Sequence, residues 1–272
     1  MAEQAVIKTV PKVVRVYQYS PGRRVFQGSI MLKDIPGAMA AVAAELAKCG
    51  LNLVNTSASS INGSGTAEWG FFALAEDRSP APKELNETLA NLPHVLHCDV
   101  KEGQNGLIVD STHYPIILDS GEQAMIVRRD TFSEMFKRLR MVFGSGGRVV
   151  AYQLGEATGE NVVKDLEKKL GKRVMIMNSQ LLTEMMAAQG WGRLEVVDSV
   201  QDPFKAVVRL YDSFECAKTK SVGPNSSFIR GYLTGYVKAL RGKSIMCTES
   251  ECLAAGADYC EFLLDEVDAP DL

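Results

Sequence analysis

Histidine is scarce. The chain of 272 residues has three, His94, His97 and His113, and none lies near the cysteines clustered toward the C-terminal end. No Ser-His-Asp arrangement, nucleotide fingerprint or flavin motif is present. The glycine cluster Gly144-Ser145-Gly146-Gly147 has no strand leading into it and no Gly-Lys-Ser/Thr after it, so it reads as a helix junction and not a phosphate loop. Long apolar runs are also missing. Nothing approaches the roughly eighteen residues of a membrane span, and Met1–Lys12 lacks the apolar stretch of a secretory signal. Charge is nearly balanced at −3, which excludes a global basic field for nucleic acid. Neither a helix-turn-helix nor an ATPase motif is found. With 46% hydrophobic and 23% charged residues, the composition is that of a soluble globular protein of one large or two ordinary domains.

Cysteine is present in small number but unevenly. Four of the six, Cys216, Cys247, Cys252 and Cys260, fall between Phe214 and Leu264, with Glu249 and Glu251 among them. Ile245–Glu249 and Tyr259–Leu264 are β-prone, and Gly256 between them can turn the chain back. This predicts a hairpin with Glu249 at the end of one strand, Cys252 in the connection and Cys260 on the return strand. Cys216, from a segment upstream, supplies a fourth ligand of the thiolate and carboxylate kinds that tetrahedral zinc accepts. The plainer alternative is a set of reduced core thiols. Cys49 and Cys98 have no evident partners, so a reducing cytoplasm is expected.

The pattern Glu249-x-x-Cys252-x-x-x-Gly256-x-x-x-Cys260-x-Phe262, after Phe214-Glu215-Cys216 and Gly231-Tyr232-x-x-Gly235-Tyr236, resembles the 4-vinyl-reductase domain, also the sensor module of aromatic-responsive activators. The resemblance implies a site of three Cys and one Glu on Cys216, Glu249, Cys252 and Cys260. A filled four-ligand site is structural, since no position is left open for catalysis. Cys247 lies two residues before Glu249 on the same strand face, so a four-Cys site with Glu249 behind it stays open.

The first hundred residues alternate in another way. Met1–Arg24 is a mildly basic arm, read as solvated rather than nucleic-acid-binding, with an edge strand at Val13–Tyr19. Strands follow at Val25–Leu32, Leu51–Ile61, Thr66–Leu74 and Val95–Lys101. Asn62-Gly63-Ser64-Gly65 is the turn between the middle pair. Helices run to about Lys48 and Leu92, completing a βαββαβ order. Asp34-x-Pro36-Gly37 before the first helix and Gly50-x-Asn52 at the next strand resemble the ACT domain, a regulatory module. That resemblance implies a ligand at Asp34, Gly37, Ala38 and Asn52, where backbone N–H groups at a helix N-terminus suit a carboxylate. Equally, Asp34 caps the helix and the domain only dimerises.

Beyond a linker at Glu102–Gly106, short strands are expected at Leu107–Asp110, Tyr114–Asp119 and Gln123–Arg128, with a turn at Asp119–Glu122. Thr131-x-x-Glu134 reads as a capping box for a helix carrying Phe132, Met135, Phe136, Leu139, Val142 and Phe143 at helical spacing. Helices at Arg148–Leu170 and Ser179–Gln189, strands at Arg193–Asp198 and Ala206–Tyr211, and a helix at Ser226–Leu240 follow. Tyr152-x-x-Gly155-x-x-x-Gly159 resembles the opening helix of the vinyl-reductase family. Its small residues make either a dimer seam or a close contact within the subunit. Trp191, Phe214, Phe228, Tyr232 and Tyr236 are candidates to line an apolar pocket with two phenolic hydroxyls, or to be plain core.

The expected architecture is α+β: an arm over 1–24, a ferredoxin-like ACT-type domain over 25–102, and a mixed α/β vinyl-reductase-like domain over 107–266 with a zinc-stapled hairpin. The expected function is non-enzymatic sensing of an aromatic, hydrophobic or amino-acid-like effector by a cytoplasmic homodimer that signals to a separate protein. No membrane or nucleic-acid partner is expected. The rivals are a reductase-like enzyme or accessory factor in tetrapyrrole or aromatic metabolism, and an assembly scaffold.

Overall fold

A computed structural model describes residues 11–61, 63–118, 121–171, 180–216 and 218–268. Residues 1–10 of the expected arm, Asn62 of the first turn, Asp119 and Ser120 of the second, and Ser179 at a helix start lie outside that range. The chain divides after Ile116 into two compact units. The expected linker at Glu102–Gly106 is not the boundary, because β6 (Leu107–Val109) pairs back with β1 (Tyr17–Tyr19). Burial in β1 alternates, turning Gln18 inward.

The first unit is a four-stranded antiparallel sheet with two helices. Its elements run β2 (Arg24–Lys33), α1 (Ala38–Lys48), β3 (Leu51–Ile61), β4 (Thr66–Ala75), α2 (Pro82–Ala90) and β5 (Val95–Glu102). The strands lie in the order β3-β4-β2-β5. One face of the sheet presents Phe26, Ile30, Leu32, Trp69, Phe71 and Ala73 to Val42, Leu46, Leu85 and Leu89 of the helices. Full burial of each large side chain contributes about 1.5–3 kcal/mol, which outweighs the modest intrinsic helicity of such short helices. The opposite face carries a smaller cluster of Val25, Phe72 and Ile108. Beside it is a polar network in which His113 bridges Asp110 and Glu68, at 2.8 and 3.0 Å. Gly70 makes room for it, since a Cβ there would stand 2.6 Å from His113 Cε1.

The second unit has short strands β7 (Ile116–Ile117, spanning the division) and β8 (Gln123–Ala124) at its start. Helices α3 (Arg129–Phe143), α4 (Ser145–Leu170) and α5 (Leu181–Ala188) follow. Then come β9 (Arg193–Gln201), β10 (Phe204–Tyr211), α6 (Ser227–Arg241), β11 (Ile245–Glu251) and β12 (Cys260–Glu266). The sheet is antiparallel in the order β11-β12-β10-β9. No helix of the described residues is long and apolar enough to cross a membrane.

Two local readings change. Thr131-x-x-Glu134 is not a capping box: α3 begins two residues earlier after Arg128, with no side-chain cap. Arg129 anchors that start by donating to the carbonyls of Asp212 and Ser213, at 2.6 and 3.2 Å. The small residues of α4 meet α6 of the same chain. A Cβ on Gly155 would fall 2.0 Å from Phe228 O, and one on Gly231 2.0 Å from Tyr152 O; Gly159 and Gly235 are equally tight. The four glycines of α4 cost roughly 3–4 kcal/mol of helix propensity relative to alanine. Close backbone approach, with dispersion and Cα–H···O contacts along the seam, offsets that cost. Tyr152 Oη donates to Thr234 Oγ1 across it at 3.0 Å.

Candidate functional site

The C-terminal hairpin brings distant donors together. β11 and β12 pair with Glu249 opposite Phe262. A short 3-10 turn at Leu253–Ala255 and Gly256, at φ 106°, return the chain. Cys252 sits in the connection and Cys260 starts β12. Cys216 arrives from the segment after β10. One donor atom from each of Cys216, Glu249, Cys252 and Cys260 lies within 4.8 Å of the others, and all four residues are buried.

The donor set fits a tetrahedral ion. With Zn–S bonds of about 2.3 Å, neighbouring sulfurs would stand roughly 3.8 Å apart. The Sγ atoms of Cys216 and Cys252 are 3.8 Å apart. Cys252 is held well below the ordinary thiol range by hydrogen bonds from Cys216 and then Cys260, so one sulfur already behaves as a thiolate. Burial pushes Glu249 up to about 7 against the bonds it accepts from Ser226. Four buried anionic donors without a counter-charge are costly, and a divalent cation would remove most of that cost.

Ser226 was not singled out from the sequence, where it reads as an ordinary helix-capping serine. It makes no side-chain cap to α6. Its hydroxyl donates to Glu249 Oε1 at 2.6 Å and to Cys260 Sγ at 3.4 Å, while its N–H donates to Glu249 Oε2 at 2.9 Å. Glu215 takes over the cap, accepting from the N–H groups of Phe228 and Ile229 at 3.2 and 3.1 Å. Its carboxyl is fully buried beside Arg140 at 3.3 Å, and burial pushes it up to about 7. The positive end of α6 thus faces two carboxyl groups. Cys247 shares the inward face of β11 with Glu249 but is not in the four-donor group, and burial pushes its thiol up to about 12.

Of the five aromatic candidates, Trp191 and Phe228 line an apolar cleft of about 450 Å³, together with Phe132, Met135, Phe136, Leu139, Val150, Leu154 and Thr158. Phe214, Tyr232 and Tyr236 belong to the core behind it. Tyr232 packs on Trp191 with ring centroids 4.8 Å apart. The two phenols are therefore not handles in the cleft wall, because the glycine seam draws that face of α6 against α4. The cleft's one hydroxyl, on Thr158, donates to Leu154 O at 2.6 Å.

The four N-terminal candidates do not gather within one chain. Asp34 accepts from Ser60 Oγ at the far end of β3, whereas Asn52 stands at its start, roughly 25 Å away along an extended strand. The cause is topological: α1 carries the chain back along the sheet, so β3 starts at the end opposite the β2–α1 loop. Gly37 takes the N-cap position of α1 at φ 88° without a side-chain cap, so Asp34 does not cap it, and Ala38 is buried.

Comparison with known proteins singles out the same stretch. Residues 206–266, containing all four donors, match the family model of the vinyl-4-reductase domain. Two proteins of Methanocaldococcus jannaschii are similar. MJ1642 is 28% identical over 134 residues, 49% of this chain and 73% of its own length. MJ1460 is 24% identical over 160 residues, 57% of this chain and 93% of its own. Among solved structures, the phenol-responsive sensory domain of the transcription activator PoxR with phenol aligns at a TM-score of 0.46 and 18% identity, over 56% of this chain and 83% of that one.

Proposed function

We propose that this protein is a non-enzymatic small-molecule sensor. Its C-terminal unit, which carries the vinyl-4-reductase match, is stapled by one structural zinc ion and receives an apolar effector in the cleft beside α3, α4 and α6. The supporting observation is the coincidence of two features in one unit: a buried Cys216/Glu249/Cys252/Cys260 donor set and an aromatic-floored cleft of about 450 Å³. A site with all four tetrahedral positions filled from the protein stabilises a fold and leaves no open position for chemistry. An apolar cleft with no free polar group selects hydrophobic or aromatic molecules by shape and burial.

The N-terminal unit serves as an ACT-like regulatory module, consistent with its βαββαβ order. The protein works as a cytoplasmic homodimer and passes its signal to a separate protein. An effector shifts the balance between two arrangements only to the extent that it binds one of them better.

Native mass spectrometry combined with metal analysis of gently purified protein tests the reading. One zinc per chain and a retained hydrophobic molecule are expected. Metal-free protein with an intact fold would remove the staple, and a bound flavin or haem would replace sensing with enzymatic or accessory chemistry.

A further inference from the structure

The apolar cleft is lined unevenly. Its floor, Phe136 and Phe228 with Trp191, is buried or half-buried, whereas Met135, Val150 and Leu154 on the other side stand about half in solvent. From that rim the exposed apolar surface continues along α3. Met135, Leu139 and Val142 are spaced i, i+4, i+7, the stripe by which a helix packs against a neighbour, and Phe143 extends it to the α3–α4 junction. Met135, Val142, Phe143, Val150 and Leu154 are between 46% and 70% exposed.

Together these five side chains expose roughly 500 Å², close to the apolar share of one side of a standard interface, which is about 800 Å² per partner and somewhat over half apolar. The stripe is flanked by both signs of charge, Glu134 and Arg138, whose present pairing at 3.4 Å is solvent-exposed and therefore weak and exchangeable. A two-fold contact across a stripe flanked in this way sets acid against base in both directions.

We infer that a second copy of this chain docks on the Met135–Leu139–Val142 face of α3 and closes the open side of the cleft, so that apolar-ligand binding and dimerisation strengthen each other. The inference rests on the reading of the C-terminal unit as an apolar-ligand binder. One copy alone leaves a flank of the ligand in water; a second copy replaces that water with side chains, so the dimer binds more tightly. By reciprocity the ligand tightens the dimer by the same factor.

The test uses the full chain, sedimentation equilibrium, and the neutral apolar dye Nile red as probe. Val142→Asp charges the stripe outside the cleft at an exposed position, where folding has little to lose. Val222→Asp, on fully exposed surface, is the control. We expect Val142→Asp to weaken both dimerisation and Nile red binding by about tenfold or more, saturating dye to tighten the wild-type dimer by a matching factor, and the control to change neither. An unchanged dimer in Val142→Asp, or a wild-type protein monomeric with and without dye, overturns the assigned face. A monomeric Val142→Asp that binds dye as tightly as wild type shows the cleft complete in one copy and overturns the coupling. A wild-type dimer disrupted by Val142→Asp, with no dye binding in either, supports the docking face but overturns the apolar-ligand reading beneath it.

Discussion

Replacing Gly155 by alanine sets two effects of known sign against each other. In an unhindered helix interior the change favours folding by about 1 kcal/mol, because alanine loses less backbone freedom than glycine. At position 155 the new Cβ would lie 2.0 Å from Phe228 O and 2.8 Å from Tyr232 N, where ordinary contact is about 3.5 Å. Backbone atoms cannot swing aside, so α4 and α6 must part by on the order of 1 Å along a seam held by dispersion. Overpacking of this kind costs about 1–3 kcal/mol, occasionally more; with every contact along the seam loosened, a net loss of about 2 kcal/mol is expected. Gly146 supplies the internal control, since it lies in the same helix with nothing within 4 Å of a Cβ. Gly146→Ala should gain about 0.5 kcal/mol, reduced from the interior value by its place in the first turn. The two units can unfold separately, so the transition should be read from Trp191 fluorescence in a Trp69→Phe background. Relative to Gly146→Ala, the guanidinium midpoint of Gly155→Ala should fall by roughly 0.5 M or more. Equal midpoints would mean that the seam yields freely, and the close-approach reasoning would be wrong.

Three further outcomes follow from the geometry. Cys252→Ser should abolish zinc stoichiometry and lower the melting temperature, whereas Cys247→Ala should keep the ion; metal analysis beside thermal unfolding separates the two. His113 should make the first unit less stable as pH rises. Burial alone would lower its pKa, but the bonds to Asp110 and Glu68 outweigh burial and raise it above the ordinary 6.5. Its stabilisation is therefore complete below about 6.5 and is lost as pH climbs through the higher folded value, so the deficit of His113→Gln relative to wild type should shrink between roughly pH 6 and pH 9. Gly70→Ala should expel the imidazole, since the new Cβ would meet His113 Cε1 at 2.6 Å, and unfolding profiles should then lose the same pH dependence.

The parts legible in the sequence are those whose cause is local. Glycine and proline punctuation with alternating burial placed β2 through β5 within one or two residues, and the Cys/Glu spacing pointed to the donors that the hairpin gathers. What escaped depends on partners far along the chain. The pairing of Tyr17–Tyr19 with Leu107–Val109 moves the division between the units past the expected linker, and nothing in either segment announces the other. Gly155 and Gly159 could face α6 or another molecule until the register with Gly231 and Gly235 was seen. Ser226 and Glu215 look interchangeable with many serines and glutamates; only the position of the α6 N-terminus makes one a brace for the donor cluster and the other a helix cap. Thr131 and Glu134 had the right spacing for a cap and the wrong starting point, because Arg129 found carbonyls to hold.

Phe228 shows what this arrangement implies for ligand choice. Its amide is tied to Glu215, its carbonyl is pressed against Gly155, and its ring floors the cleft. Three constraints on one residue leave that wall no play, while Met135, Val150 and Leu154 opposite answer to none of them. The cleft is therefore a vice with one fixed jaw: substitutions that retune which molecules it accepts should be tolerated on the rim and penalised on the floor, where changing the grip means disturbing the helix pair and the hairpin together.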